Sequence, residues 1–316
     1  MKKVLLAGIG TFMLISAFHT APAAVAASQA YVQADKSGNA LAAKTKAYEQ
    51  AIGTKKMSVI DSQYNGVLNA IKSTEILIGK VSGASRRQAL LTKYISPAKA
   101  ARDKTTYEIS QYRLLEKMET RIYTPDYKID QDLGVLDRLK RRTAEVKKSA
   151  NLPALDPEIT NSLLKKEAVV EGEYTSTYID GYRILIDQDK SIYYANNMYD
   201  YLKKHISETD KRIGYVSGRT TRNQLLEAYI QPGKKEIARS MYEISRYRLM
   251  SELFKLAQSS EQAQKDKAKA RLPELDALKK KAEDLKKTGV YKPLPEQILN
   301  DLNEDEVQLR EIINGK

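Results

Sequence analysis

Apolar residues recur at intervals of three and four along almost the whole chain, and this pattern predicts helices throughout. Between residues 55 and 78 they fall at Val59, Ile60, Tyr64, Val67, Leu68, Ile71 and Leu77, one face of a helix. An Ala-rich helix over 41–52 precedes it, with Ser37 and Gly38 as a loose start and Gly53-Thr54 as a break. Gly79 and then Ser82-Gly83 end the second helix, since glycine supplies the left-handed residue of many helix ends. Ser85 and Gln88 have the form of a capping box, as do Thr221 and Gln224, so helices should open there. Pro97 and Pro232 predict a kink or restart further on, because a proline removes a backbone donor. The first of these helices should run to about Ile122. Thr124-Pro125 then predicts a helix over 126–149 with proline at its first position and a stripe at Leu133, Leu136, Leu139 and Val146. Asp156-Pro157 marks another start. With no proline between Pro157 and Pro232, one long helix is expected from about Glu158 to Lys190 or beyond. Further helices are expected over 192–213, 221–256, 261–287 and 295–313.

One stretch occurs twice. IGKVSGASRRQALLTKYISPAKAARDKTTYEISQYRLLEKM begins at Ile78, and IGYVSGRTTRNQLLEAYIQPGKKEIARSMYEISRYRLMSEL begins at Ile213. The two align without a gap and nearly half of their positions are identical, which implies two structural copies. LDRLKRR at Leu136 against LDALKKK at Leu275 extends the duplication to the next helix, with a longer loop in the second copy. The fold class this predicts is all-α: an elongated rod of tandem three-helix bundles joined by a contiguous long helix. The expected division is 1–30 as a signal peptide, 31–165 as the first bundle repeat and 166–316 as the second.

The signal peptide is read from Lys2 and Lys3, an apolar run over 4–18, and small residues at Ala24–Ala26 or Ser28–Ala30 where cleavage could occur. The run is shorter than the roughly 20 residues of a spanning helix, and no later segment is apolar enough to span, so no integral membrane span is expected after cleavage. The chain has no cysteine, so once exported it must be held by its core alone. Without Lys2 and Lys3, 51 basic residues face 40 acidic ones, a net charge of +11. The aromatic residues are 20 Tyr and 3 Phe with no Trp. An exported chain rich in Tyr, Arg and Lys suggests an anionic polymer as partner, although solubility alone also accounts for the charge.

Catalytic signals are poor, and no enzyme is expected. The only histidines are His19, in the leader, and His205, on a polar stretch and expected to face solvent. Two histidines and no cysteine leave no zinc site, and the Asp301, Glu304, Asp305, Glu306 cluster lacks the alternation and glycine of a calcium loop. No nucleotide motif appears, and no cofactor is implied. The duplicated side chains are the stronger candidates. Arg87 matches Arg222, Tyr94 matches Tyr229, Lys99 matches Lys234, Tyr107 matches Tyr242 and Arg113 matches Arg248. Arginine can grip a carboxylate or phosphate in a bidentate fork, and tyrosine rings can lie against sugar faces. The same positions also suit the fold itself. Tyr112 and Tyr247 have the spacing of a buried stripe, and Arg113 and Arg248 could equally form internal salt bridges, to Glu108 or Glu243.

IGYVSGRTTRNQLLEAY followed by KKEIARSMYEIS resembles the N-terminal cell-wall-binding region of the SbsC-like S-layer proteins of Gram-positive bacteria. The likeness covers the second copy well and the first more weakly. It implies triple-helical bundles joined by contiguous helices that bind an anionic secondary cell wall polymer outside the cell. Carried over position by position, it implies contacts from Arg219, Arg222, Tyr229, Lys234, Arg239, Tyr242 and Arg248, and in the first copy from Arg87, Tyr94, Lys99, Lys104, Tyr107 and Arg113. Ala84 aligns with Arg219, and Arg86 lies beside it. The β-sandwich lattice domains of that family have no counterpart here, so the expected role is a non-enzymatic wall anchor. A structural or protein-interaction rod on the cell surface is the alternative, and nucleic acid is not an expected partner for an exported chain.

Overall fold

The computed structural model describes residues 20–149 and 152–315. The basic residues and apolar run of the expected leader lie outside them, as does His19. Among the described residues every regular element is helical and no strand occurs: the protein is all-α. In chain order the helices are α1 (Thr20–Gly53), α2 (Met57–Gly79), α3 (Ala84–Leu90), a π-helical turn (Leu91–Ile95), α4 (Ser96–Asp103), α5 (Thr106–Arg121), α6 (Ile129–Ser149) and α7 (Pro157–Asp187). They continue as α8 (Ile192–Gly214), α9 (Arg219–Leu225), a second π-helical turn (Leu226–Ile230), α10 (Gln231–Ala257), α11 (Gln262–Lys287) and α12 (Glu296–Ile313). No helix among the described residues is long and apolar enough to cross a membrane.

Two compact units form. One takes the residues up to Leu114 with Leu133–Leu163; the other takes Leu115–Asp132 with Leu164–Lys316. The expected cut at 165/166 differs from this chiefly in where it assigns 115–132. The first core is built by an interval of three and four that does not drift. Met57, Ile60, Tyr64, Val67, Ile71, Thr74 and Ile78 of α2 are buried, against Ala34, Leu41 and Tyr48 of α1 and Leu90, Ile95 and Ala98 further on. Val59 and Ile76 of α2 point outward. In the second unit α8 buries Ile192, Ala195, Tyr199, Leu202, Ile206, Thr209 and Ile213, each the counterpart of one of those α2 residues in the same order. Its core continues through Ile230, Ile244, Leu253, Leu275, Ile298 and Leu302.

The duplicated stretch keeps its irregularities as well as its helices. Gly83 and Gly218 precede α3 and α9 with φ of +91° and +93°, conformations that side chains rarely adopt. Pro97 and Pro232 each stand second in the helix after a π-helical turn. In these turns the amide of Ser96 reaches back five residues to the Leu91 carbonyl, and Gln231 does the same to Leu226. The expected restart is therefore present, and its form is an extra residue in the helix just ahead of the proline.

Several boundaries differ from expectation. Ser37 and Gly38 are no helix start, because α1 runs through both. Ser85 makes no cap: α3 begins at Ala84 with Gly83 ahead of it, and no side chain bonds its amides. Thr221 likewise lies inside α9, which Gly218 precedes. The helix expected from 126 begins at Ile129, since residues 124–128 make a turn in which Asp126 takes φ of +60° and the Tyr127 amide donates to the Thr124 carbonyl at 3.2 Å. At Pro157 the expectation holds, with the Glu158 amide donating to Asp156 Oδ1 at 2.9 Å. The long helix ends at Asp187, where Lys190 adopts φ of +50° before α8.

Candidate polymer-binding surface

Most of the duplicated side chains are engaged inside their own units, and the same bond recurs in both copies. Arg87 Nη1 donates to the Val81 carbonyl at 2.9 Å, and Arg222 Nη1 to the Val216 carbonyl at 2.9 Å. Both arginines thus satisfy a carbonyl in the turn that follows α2 or α8. Tyr94 is buried, and its hydroxyl donates to Asp35 Oδ1 at 2.7 Å and Asn39 Oδ1 at 2.9 Å on α1. Tyr229 donates to Glu173 Oε1 on α7 at 2.8 Å. The Tyr94 ring lies on Gly38 and the Tyr229 ring on Gly172, where a Cβ would overlap the ring. This close approach is why a glycine stands at each place inside a helix. It also explains the Asp35 carboxyl, held below its usual range by the Tyr94 hydroxyl and secondarily by Lys93.

Lys99 pairs with Glu75 at 2.6 Å and Lys234 with Asp210 at 3.0 Å. Arg113 Nε donates to Asp61 at 2.5 Å and Nη2 to Asn65 at 3.1 Å. Arg248 Nε donates to Asn196 at 2.5 Å and Nη2 to Asp200 at 2.9 Å. The carboxylate and the amide have exchanged places, one helical turn apart, while each arginine keeps one of both. Each guanidinium also lies over an equivalent ring, Tyr64 at 5.3 Å and Tyr199 at 5.4 Å. The internal salt bridge is therefore present in both copies, to Asp61 and Asp200, not to Glu108 or Glu243. Arg239 is buried and bonds Asp187 at 2.5 Å and Glu236 at 3.1 Å, so burial takes it, like Tyr94, off the outer surface. Lys104, Tyr107 and Tyr242 are half-buried. Arg86 and Arg219 are exposed, on α3 and at the start of α9.

Another surface presents side chains outside this set. On α8 Tyr194 is 57% exposed and Tyr201 63%, and Tyr215 just beyond the helix is 56% exposed. Tyr201 stands about two helical turns after Tyr194, and Tyr215 about four turns after Tyr201, so the three rings share a face. Lys204 and Lys211 lie between Tyr201 and Tyr215 on that face and are exposed. Lys204 reaches Asp130 at 3.4 Å, a loose pair between two half-exposed groups. Tyr193 adds a further ring 5.1 Å from that of Tyr194. The first copy has Val59, Gly66 and Lys80 at the three tyrosine positions. Identity between copies therefore could not reveal this face; the difference between them does.

His205 does not face solvent. It is 4% exposed, and its ring lies 4.4 Å from Tyr178 and 5.4 Å from Tyr174. Burial lowers its pKa, and Nδ1 has no hydrogen-bond partner. Nearby, Arg212 lies between Glu167 and Glu171, both buried. With one arginine against two carboxyls, burial pushes Glu171 up to about 7. No group of acidic or histidine side chains among the described residues could hold a metal ion. Glu306 of the acidic cluster is instead bound to Arg246 at 2.5 Å and Arg310 at 2.7 Å.

Residues 18–99 match the model of the SbsC C-terminal domain family. No curated protein and no solved structure matches the chain. The matched residues take in α1, α2, α3, the π-helical turn and the start of α4, so the match falls on the first copy, whereas the likeness in sequence is plainer in the second. The model is named for a C-terminal domain, where the sequence resemblance pointed to an N-terminal region. Over residues 18–99, then, this chain is similar to the SbsC C-terminal domain family.

Proposed function

We propose that the protein is exported and attaches, without catalysis, to an anionic secondary polymer of a Gram-positive cell wall. The carrying observation is the exposed Tyr194, Tyr201 and Tyr215 face of α8 with Lys204 and Lys211 set among the rings. Rings of this kind give flat apolar area to sugar faces, and the lysines supply point charges for acidic groups along the polymer. Arg86 and Arg219, also exposed, add to the basic surface. The second copy is read as a further SbsC-like domain that carries this contact, and Arg87, Arg222, Arg113 and Arg248 serve the fold. Export rests on the sequence of the leader. From Ser28, where the described side chains begin, the first buried one is Ala34.

Sedimentation with purified sacculi tests this. Binding should fall when salt screens the lysines, and should drop about tenfold or more in a Tyr194→Ala, Tyr201→Ala, Tyr215→Ala variant, a loss of roughly 1.4 kcal/mol or above. Unchanged binding to sacculi stripped of their secondary polymer would overturn the reading.

A further inference from the structure

The second unit contains a cavity of about 200 Å³ between α10, α11 and the segment leading into α12. Tyr242, Tyr291, Lys279, Lys286, Lys292 and Arg239 are among its walls, and Leu294 and Leu299 give it apolar surface. Its volume is below the roughly 300–1,000 Å³ of drug-sized ligand sites, so it suits one small residue and not a length of chain.

In the first copy the corresponding positions are occupied by paired side chains. Lys147 of α6 is ion-paired to the buried Glu108 of α5. Beside them Gln111 Nε2 donates to Thr143 Oγ1 at 2.9 Å. In the second copy Glu243 matches Glu108, Lys286 matches Lys147, Ala282 matches Thr143 and Arg246 matches Gln111. None of those contacts is retained. No ion pair joins Glu243 to Lys286 among the described residues. Ala282 lacks the hydroxyl, and Arg246 turns to Glu306 at 2.5 Å and to the Leu302 carbonyl at 3.1 Å, both on α12. Deleting the plug leaves the cavity.

What remains is a site walled by Lys279, Lys286, Lys292 and Arg239 beside the carboxyls of Glu243 and Glu283, with one unsatisfied buried donor. Lys279 and Lys286 are exposed and make no ion pair among the described residues. Arg239 is 6% exposed, and its Nε has no hydrogen-bond partner, an unfavourable state for a buried donor. Burial also raises the pKa of Glu243 against the pull of Arg246 and Lys286.

We propose that this cavity binds a single anionic sugar residue, its acidic group held by Lys279 and Lys286 and its ring set against Tyr242 and Tyr291. The choice of a sugar rests on the wall-polymer reading; the cavity and its charge do not. Carboxylate and phosphate share the recognising chemistry, so both are tested.

Calorimetric titration of the full chain with glucuronate, with glucose 6-phosphate and with glucose is the experiment. One or both charged sugars should bind saturably and glucose should not. Lys279→Ala with Lys286→Ala should weaken that binding about tenfold or more, with an unchanged melting curve. Ala282→Thr, which restores the first copy's residue in the cavity wall, should weaken it too. Absence of saturable binding by either charged sugar overturns the proposal, as does equal affinity in wild type and the lysine variant. Sugar binding by a chain that ignores sacculi would sustain the cavity and sink the wall reading; sacculus binding with no sugar binding would do the reverse.

Discussion

Gly38 and Gly172 sit within helices, and each leaves room for one tyrosine ring. Alanine at either place is a better helix former by up to about 1 kcal/mol, but its Cβ would overlap Tyr94 or Tyr229. Overpacking of this kind costs about 1–3 kcal/mol, so Gly38→Ala should lower stability in urea denaturation, not raise it. The arginine latches give a second test at this scale. Asp61→Asn should weaken the contact to Arg113 by the roughly 0.2–1 kcal/mol of a part-exposed pair. Adding Asn65→Asp should restore it, because the second copy already uses that arrangement through Asp200. If the double variant is no more stable than the single one, the two copies do not share the interaction. These positions were candidates for polymer contact because they recur, and recurrence has a plainer cause: the fold needs the same bonds twice.

The elements were legible wherever their signal is local. Intervals of three and four fixed α2 and α8, and Asp156-Pro157 fixed the start of α7, because each depends only on neighbours in the chain. Signals that depend on a distant partner were misread. Gly38 looked like punctuation, since the ring that fills its space comes from Tyr94, which lies beyond the whole of α2 and α3 in the chain. Ser85 and Thr221 looked like caps, yet the backbone at Gly83 and Gly218 already sets the entry to α3 and α9. With φ near +90°, those glycines should resist substitution. Gly218→Ala should cost about 1–3 kcal/mol of backbone strain, read as a lower midpoint at unchanged slope in denaturant titration.

At the scale of the molecule, two buried groups of the second unit give stability opposite dependences on pH. His205 has a depressed pKa, so its contribution is present above about 6.5, the ordinary histidine value, and is lost as pH falls through the folded value. Glu171 is raised to about 7, so its contribution is present below the ordinary carboxylate range and is lost as pH rises towards 7. The two slopes therefore oppose each other in the melting temperature of the wild type where their ranges overlap. Glu171→Gln should make stability rise with pH up to about 6.5, and His205→Phe should make it fall with pH up to about 7. A wild-type and a Glu171→Gln curve of the same shape would show that the carboxyl does not titrate there.

The sequence by itself determined the helical class, the duplication and most helix spans, since each follows from periodicity and from backbone rules that act within a few residues. It also placed the charged and aromatic residues on the right helices. Only the tertiary structure decided which of them are already engaged. Whether Arg248 meets a ligand or Asp200, whether His205 faces water or Tyr178, and whether Lys286 faces Glu243 or an open cavity are questions of what lies across the bundle. Contacts of that kind join residues far apart in the chain, and no local pattern records them.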